Sequence, residues 1–182
     1  EVAYAKVSTD DILIRLTAKN CGPDLAPLWM LPTLWFRNRW SWDPARPRAA
    51  EITAAGPALL TAHEEKLGDW LLEGPGPDEI LFTENETNNA LLFGSPNASP
   101  FTKDAFHRHL IGGEKGAVNP ARTGTKAAPV YRRTLAPGET WTLDLRLRTA
   151  STASAADFEG TMKTRARECR EFHEDLAAPS LG

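Results

Sequence analysis

One stretch of the 182-residue sequence mixes aromatic rings with cationic and amide side chains. Four of the six tryptophans fall between Trp29 and Trp42, and positions 35 to 42 read WFRNRWSW. Indole rings can cover the C–H faces of a pyranose while guanidinium and amide groups bond its hydroxyls, which makes sugar contact one interpretation. Its candidate residues are Trp35, Arg37, Trp40 and Trp42. The same mixture is typical of Arg-on-Trp stacks at protein interfaces, and this alternative is the stronger one.

A second stretch, from 82 to 89, is rich in carboxylates and amides. Its candidate residues are Glu84, Asn85, Glu86, Asn88 and Asn89. Glycoside hydrolysis uses two carboxylates that stand opposed across the scissile bond. Glu84 and Glu86 would share one face of an extended strand, so catalysis by this pair is not expected. The favoured alternative is a loop fixed by side-chain hydrogen bonds to the backbone, which Asn and Glu form readily.

A metal site would have to combine Asp104 and His107 with one of these glutamates. The next histidine, His109, lies two positions further on. Because no cysteine pair or HExxH spacing accompanies these residues, the sequence predicts no metal site. The glycine-rich run Gly112–Gly116 lacks the spacing of a phosphate-binding loop, and no cofactor is predicted.

Composition indicates the class of protein. Hydrophobic residues make up 41% and charged residues 25% of the chain, as in an ordinary globular protein with a core. Lys and Arg number 21 against 24 Asp and Glu, a net charge of −3 without a basic block, so nucleic acid is not an expected partner. The most apolar stretch, Leu25–Phe36, is interrupted by prolines and too short to cross a bilayer, so no membrane partner is expected.

The cysteine content bears on the compartment. Cys21 and Cys169 are the two cysteines, a usage that fits a reducing environment and predicts a cytoplasmic protein. A single long-range disulfide between them is the alternative. The sequence starts in a strand pattern without a signal peptide, and we expect it to be a piece of a longer protein.

Alternating apolar and polar residues predict strands near both ends of the chain. Val2–Val7 and Ile12–Asn20, separated by a polar turn, predict a hairpin whose second strand is half-buried. A third strand is predicted over Pro27–Phe36. Val130–Leu135 and Thr140–Arg148, separated by the turn Ala-Pro-Gly-Glu, predict another hairpin.

The middle of the chain is less regular and predicts short strands joined by long ordered loops. The apolar pieces there are Ala58–Leu60, Trp70–Leu72, Ile80–Phe82 and Leu91–Phe93. Apolar residues then recur every three to four positions from Ala155 to Leu176, after a candidate N-cap at Ser154, and predict one C-terminal α-helix. Together the elements predict a mainly β fold, an antiparallel β-sandwich over residues 1–153 with a terminal helix over 154–182.

Five stretches of the sequence resemble the bacterial branch of glycoside hydrolase family 63, the mannosyl-oligosaccharide glucosidase-like proteins. The resemblance runs from about Tyr4 to about Tyr131. It rests on LPTLWFRN with WSW (31–42), LFTENETNN (81–89), FG with PNASP (93–100), KDAFH (103–107) and VNPARTGTKAA (118–128).

The resemblance implies a two-part protein: a β-rich supersandwich followed by an α/α barrel that is a catalytic partner encoded in the same longer chain. In that family the acid and base carboxylates belong to the barrel. This chain would therefore be inactive alone, while the parent protein would act on α-glucosides or related oligosaccharides. A free-standing carbohydrate-binding module is the alternative function, and a plain assembly domain is a further one.

Two surfaces carry further expectations. The loop from Glu84 to Asn89 and the segment from Asp104 to Arg122, which includes Asn119, are expected to form a wall beside the barrel's sugar pocket or, with slightly better odds, an interface to the barrel. The apolar stripe of the terminal helix predicts a sticky surface and a dimer formed through it. Its members are Phe158, Met162, Cys169 and Phe172.

Overall fold

The structure is a computed structural model that describes residues 1–42, 50–152 and 157–176. Its strands are β1 (Val2–Ser8), β2 (Asp11–Lys19), β3 (Ala26–Met30), β4 (Leu34–Trp35), β5 (Ala50–Gly56), β6 (Leu59–Glu64), β7 (Gly68–Glu73), β8 (Glu79–Thr83), β9 (Thr123–Gly124), β10 (Lys126–Leu135) and β11 (Thr140–Thr149). Its helices are α1 (Asn89–Phe93), α2 (Ala105–Leu110) and α3 (Phe158–Leu176), with a 3-10 turn at Lys115–Ala117.

The strands form two antiparallel sheets. The larger has seven strands in the order β1-β2-β11-β7-β6-β5-β9. The smaller has four strands around β10, with β4 and β8 on opposite sides of Lys126 and Ala127. Buried side chains of both sheets meet in one core, which includes Ile52, Leu72 and Leu145 of the larger sheet and Phe82 and Tyr131 of the smaller. The chain is therefore a mainly β, antiparallel sandwich with a C-terminal helix, as the sequence predicts.

The N-terminal hairpin is confirmed, since β1 pairs antiparallel with β2. Ile14 and Leu16 of β2 pack against the core, as the alternation predicts. The opposite face of the hairpin is not simply polar, because Ala5 and Leu13 on it are also buried. Helix α3 packs against β1, so this corner of the larger sheet is covered on both faces.

The predicted strand over Pro27–Phe36 is interrupted. Its two parts, β3 and β4, keep a single register along β10, with Met30 opposite Tyr131 and Leu34 opposite Ala127. Extension of that register into the gap places Pro32 opposite Pro129, and neither nitrogen carries a hydrogen to donate. The ladder is lost for residues 31–33 and resumes at Leu34, and Phe36 N–H continues it by donating to the Thr125 carbonyl at 2.9 Å.

The prediction of a second hairpin is wrong. β10 and β11 belong to different sheets, so the turn between them crosses the edge of the sandwich. Asn20 fixes this crossing: its Nδ2 donates to the Leu135 carbonyl at 3.0 Å, its N–H donates to the Glu139 carbonyl and its carbonyl accepts from Gly138 N–H, both at 2.9 Å. Gly138 has a φ of 76°, which favours glycine at this position.

The middle of the chain follows the prediction in part. Apolar pieces at Leu59–Leu60, Trp70–Leu72 and Ile80–Phe82 lie in β6, β7 and β8, whereas β5 was not predicted. Leu91–Phe93 is not a strand, because it lies in α1. Helix α2 and the 3-10 turn were not predicted either.

The terminal helix α3 is confirmed from Phe158 onward, and the predicted N-cap Ser154 lies outside the described residues. The Asp157 side chain accepts a hydrogen bond from Gly160 N–H at 3.0 Å and so caps the first turn. Arg15 of β2 joins the helix to the sheet: it bonds Asp144 through two nitrogens at 2.7 Å, forms an ion pair with Glu159 and lies 5.0 Å from the centre of the Phe158 ring.

Two remaining expectations concern bonding and membranes. Cys21 and Cys169 are free and exposed, so the disulfide considered from the sequence is not formed. None of the helices in the described part of the chain is long and apolar enough to cross a membrane.

Candidate functional site

Residues 84–89, called here the polar loop, leave the core at the end of β8. Glu84 is 6% exposed, and its Oε2 accepts a hydrogen bond of 2.8 Å from the fully buried Thr125 hydroxyl. The same hydroxyl accepts from Asn85 N–H at 2.8 Å. Glu84 N–H donates to the Phe101 carbonyl at 2.9 Å. The buried hydroxyl of Thr125, the residue just before β10, thus fixes Glu84 and Asn85 at the start of the polar loop.

The tryptophan-rich segment lies against this loop. Asn85 Nδ2 donates to the Phe36 carbonyl at 2.9 Å, and Asn38 Nδ2 donates to the Asn85 carbonyl at 3.1 Å. The indole N–H of Trp40 donates to Glu86 Oε1 at 2.9 Å. The structure therefore brings the two candidate stretches together, with Trp40 bonded to Glu86 and Asn85 bonded to the backbone of Phe36.

Asn88 is the centre of a second set of hydrogen bonds, called here the amide network. Its Oδ1 accepts from Leu91 N–H at 3.1 Å, which caps α1, and from Asn97 Nδ2 at 3.0 Å. Its Nδ2 donates to Asp104 Oδ2 at 3.0 Å. Asn97 Oδ1 in turn accepts from Ala90 N–H at 3.0 Å. The buried Asn88 side chain thus holds α1, the segment around Asn97 and the start of α2 in place.

The Asp104 carboxylate completes the amide network. Thr102 Oγ1 donates to Asp104 Oδ1 at 2.5 Å. Burial acts to raise the pKa of Asp104, but the hydrogen bonds from Thr102 and Asn88, together with the charge of Arg108, outweigh it, so the pKa lies below its ordinary value. The carboxylate is therefore held in its charged form by its neighbours.

Two lysines border the same region. Lys103 Nζ donates to the Thr87 hydroxyl at 3.0 Å. Lys126 Nζ donates to the Lys103 carbonyl at 2.8 Å and lies 4.7 Å from the centre of the Phe106 ring. Burial lowers the pKa of Lys126, and the positive charge of Lys103 lowers it further.

Helix α1 presents an apolar surface beside these polar groups. Leu91, Leu92 and Phe93 are consecutive and 71%, 61% and 71% exposed. Asn88 caps the start of the helix, while Gly94, at a φ of 65°, ends it with its N–H bonded to the Asn89 carbonyl. We call this three-residue surface the α1 apolar surface.

The turn from 119 to 123 brings in two further candidates. Asn119 Nδ2 donates to the Thr123 carbonyl at 2.7 Å and its Oδ1 accepts from Ala121 N–H at 3.0 Å. Its backbone N–H donates to the Phe82 carbonyl at 2.8 Å, which ties the turn to β8. Arg122 is exposed and, with a φ of 57°, is the one non-glycine residue of the described chain in the left-handed region. His107 is exposed on α2.

The other aromatic candidates lie elsewhere. Trp35 and Arg37 line a cavity between the two sheets. Trp42 is 73% exposed, and the Arg37 guanidinium lies 5.8 Å from the centre of its ring. The structure therefore divides the aromatic and arginine candidates. Trp40 bonds the polar loop, Trp35 and Arg37 line the cavity, and Trp42 lies beside Arg37 without lining it.

The chemistry available to the polar loop is mainly structural. Glu84 is engaged by Thr125, and Glu86 by Trp40. The Asn85 side chain bonds a backbone carbonyl, and the Asn88 side chain bonds the backbone as well as other side chains. Residues 1–42, 50–152 and 157–176 contain no group of three or more His, Cys, Asp or Glu side chains that could hold a metal ion. The hydrogen bonds that hold the side chains of the polar loop are those that the loop-fixing interpretation predicts.

Sequence reasoning missed three residues of this site. Thr125, Thr102 and Asn97 hold the polar loop and the amide network together, yet none was a candidate. Asn97 carried a local signal, since Asn is a common turn residue that bonds nearby backbone. Thr125 carried none, because its partner Glu84 lies 41 residues away and depends on the tertiary fold. Thr102 carried a local signal, because its partner Asp104 is two residues further on and Thr hydroxyls readily bond nearby groups.

Comparison with known proteins adds one relative. No family model matches the chain. The chain is 32% identical over 166 residues to a protein of Saccharomyces cerevisiae named "Uncharacterized protein YMR196W". The match covers 76% of this chain and 15% of the yeast protein, so the chain spans only a small part of that relative's length.

Proposed function

We propose that this chain is the non-catalytic β-sandwich domain, of the supersandwich kind, of a glycoside hydrolase family 63-like glucosidase. It would support, and partly wall, the sugar pocket of an α/α barrel in the same longer protein. The barrel would supply both catalytic carboxylates, and the substrate of the whole protein would be an oligosaccharide or α-glucoside. The exposed free cysteines Cys21 and Cys169 are consistent with a cytoplasmic location.

The α1 apolar surface is the observation that carries this proposal. Three consecutive side chains more than 60% exposed are unusual on a surface that meets only water. They are held on a short helix capped at both ends, so the surface is ordered before any partner arrives. A preformed apolar surface on a rigid base is what a permanent neighbouring domain requires.

The length of the yeast relative supports the same proposal. Because the matched region is 15% of that protein, a chain of this kind occurs within a much larger polypeptide. The larger polypeptide leaves ample room for a barrel.

The bonding of the polar loop distinguishes interface residues from wall residues. Asn88 is buried and bonded at both ends of its amide, so it would act by fixing the α1 apolar surface rather than by touching sugar. His107 and Arg122 are exposed and remain the candidates for a wall. In the complete protein, His107→Ala should lower kcat/KM at unchanged Tm if His107 lines the sugar pocket.

The test of the proposed function compares the 182-residue chain with the complete protein. Glucose release from α-glucosides is expected from the complete protein and not from the chain. Hydrolysis by the chain alone that is abolished by Glu84→Gln or Glu86→Gln would overturn the proposal. So would a complete protein that is inactive on α-glucosides and related oligosaccharides.

A free-standing carbohydrate-binding module is the second candidate. The exposed indoles of Trp35 and Trp42, with Arg37 beside the latter, favour it because such rings can stack on sugars. This function predicts saturable quenching of tryptophan fluorescence when gluco- or manno-oligosaccharides are added to the chain. The domain function predicts no such saturation.

The apolar stripe of α3 supports a further proposal, a dimer formed through that helix. Cys169 is exposed, and Phe172 and Leu176 are 61% and 66% exposed. Phe158 and Met162 are only half-buried against the sheet. Sedimentation of the chain at several concentrations tests whether it forms this dimer.

A further inference from the structure

A cavity of about 320 Å³ opens between the two sheets, away from the polar loop. Its walls come from β4 on one side and from β2, β6, β7 and β11 on the other. Its volume lies at the lower end of the range for small-molecule sites, roughly 300–1,000 Å³. The side chains that matter for its chemistry are Trp35, Phe36, Arg37, Ala62, Leu67 and Trp70.

Among the described residues that line this cavity, Arg37 is the one ionisable side chain and the others are apolar. The indole N–H of Trp70 is already used, since it donates to the Leu67 carbonyl at 3.1 Å. A sugar would need several polar partners for its hydroxyls, which these walls do not offer. The lining therefore favours a ligand whose body is hydrophobic.

The Arg37 guanidinium sets the charge of such a ligand. Other arginines of the sandwich bond carboxylates, as Arg15 does to Asp144 and Arg148 does to Glu73. Arg37 has no carboxylate partner within the described ranges, and its guanidinium lies 5.8 Å from the centre of the Trp42 ring. An exposed guanidinium at the edge of an apolar cavity matches an anionic group, which it can bind with two parallel hydrogen bonds.

We propose that this cavity binds a small amphiphilic carboxylate, with its apolar body between Trp35 and Trp70 and its carboxylate on Arg37. A single aromatic ring or a short aliphatic chain suits the volume, and the two share this chemistry. The site is separate from the α1 apolar surface and from the polar loop. The proposal does not depend on the glucosidase assignment.

The experiment titrates the chain with 3-phenylpropanoate and with octanoate, followed by calorimetry and by the indole N–H signals in a ¹⁵N spectrum. We expect saturable binding with shifts of the Trp35 and Trp70 signals, while Trp141, which does not line the cavity, stays in place. The ratio of the two affinities tells an aromatic ligand from an aliphatic one. Absence of saturable binding by both acids overturns the proposal.

Matched variants test the role of the charge. Arg37→Gln should weaken binding of the better acid about tenfold or more, because a charge-assisted hydrogen bond is lost. Arg39→Gln, an exposed arginine of the same segment that does not line the cavity, should leave the affinity unchanged. The neutral 3-phenylpropan-1-ol should bind at least tenfold more weakly than the acid. Equal binding of acid and alcohol, or equal effects of the two variants, overturns the proposal.

Discussion

The chain exposes apolar side chains on two helices that are held in very different ways. On α1, Leu91, Leu92 and Phe93 stand on a helix of five residues whose two ends are capped and whose base is the amide network. On α3, Phe172 and Leu176 lie in the C-terminal half of a 19-residue helix, where residues 169–176 are all exposed.

The two helices differ in the interactions that keep them folded. A five-residue helix has too few internal hydrogen bonds to form alone, so α1 depends on Asn88 and its partners. Helix α3 is long enough to contribute its own stability, and Arg15 of the sheet contacts its first turn through Glu159 and Phe158. We interpret α1 as a fixed contact surface and α3 as a connecting element. The following predictions test this comparison.

Removal of the Asn88 side chain should have the largest effect. Asn88→Ala removes one hydrogen bond from the Asp104 carboxylate and one from the Asn97 amide and uncaps α1, which should lower the free energy of unfolding by about 2 kcal/mol. Chemical denaturation measures this. Asn89→Ala, at the next position, is the matched control and should cost less than half as much. Equal losses for the two variants would contradict the central role of Asn88.

Release of α3 should cost less. Arg15→Met removes the bonds to Asp144 and Glu159, but these carboxylates are 39% and 61% exposed, so we expect a loss of about 1 kcal/mol. Amide exchange of the first turns of α3 should accelerate while exchange in α1 is unchanged. Arg133→Met, which removes a surface ion pair with Glu139, serves as the control and should leave α3 untouched. Faster exchange in both helices would show that they are not independent.

The charge of Asp104 should produce a pH-dependent effect. Its pKa is lower in the folded state than its ordinary value of 3.8. The stabilisation is therefore complete above pH 3.8 and is lost as the pH falls through the folded pKa. Asp104→Asn should be less stable than the original chain at neutral pH, and the gap should shrink below pH 3.8. Thr102→Val removes the shorter of the two side-chain hydrogen bonds to Asp104 and should therefore raise its pKa. A stability difference between Asp104→Asn and the original chain that grows in acid would contradict this account.

Substitution on the α1 apolar surface should have the smallest effect on stability. Phe93→Ser should change the free energy of unfolding of the chain by no more than about 0.5 kcal/mol, because the ring contacts mainly solvent. In the complete protein the same change should lower Tm clearly, since a buried contact would be lost there. Leu25→Ser, another side chain 68% exposed, is the control and should be neutral in both settings. Neutrality of Phe93→Ser in the complete protein would argue against docking through α1.

Local sequence patterns are sufficient to predict an element where one of its faces is buried and the other is exposed. The alternation of β2 and β11 and the period of α3 identified these elements correctly, because burial imposes that spacing directly. The prediction of a hairpin from β10 to β11 is wrong because alternation identifies a strand and not the sheet to which it belongs. The deciding contact is made by Asn20, which is 115 residues away from Leu135 in sequence.

The site was predictable only as a set of residue types. The polar loop was recognised from its carboxylates and amides, and its fixing role was anticipated from their preference for local bonds. That Trp40 would bond Glu86 while Trp35 and Arg37 line a cavity depends on how the chain leaves β4, which the sequence does not encode locally. The pattern of Leu91–Phe93 predicts a strand and not the observed helix, because three apolar residues are too few to show a helical period.

The central claim is that the α1 apolar surface is preformed and covered by the rest of a longer protein. Hydrogen–deuterium exchange of residues 88–95, compared between the 182-residue chain and the complete protein, tests it most directly. The account predicts measurable protection of Leu91, Leu92 and Gly94 amides in the chain alone and at least tenfold slower exchange in the complete protein, about 1.4 kcal/mol. Equal exchange rates in the two proteins would contradict it.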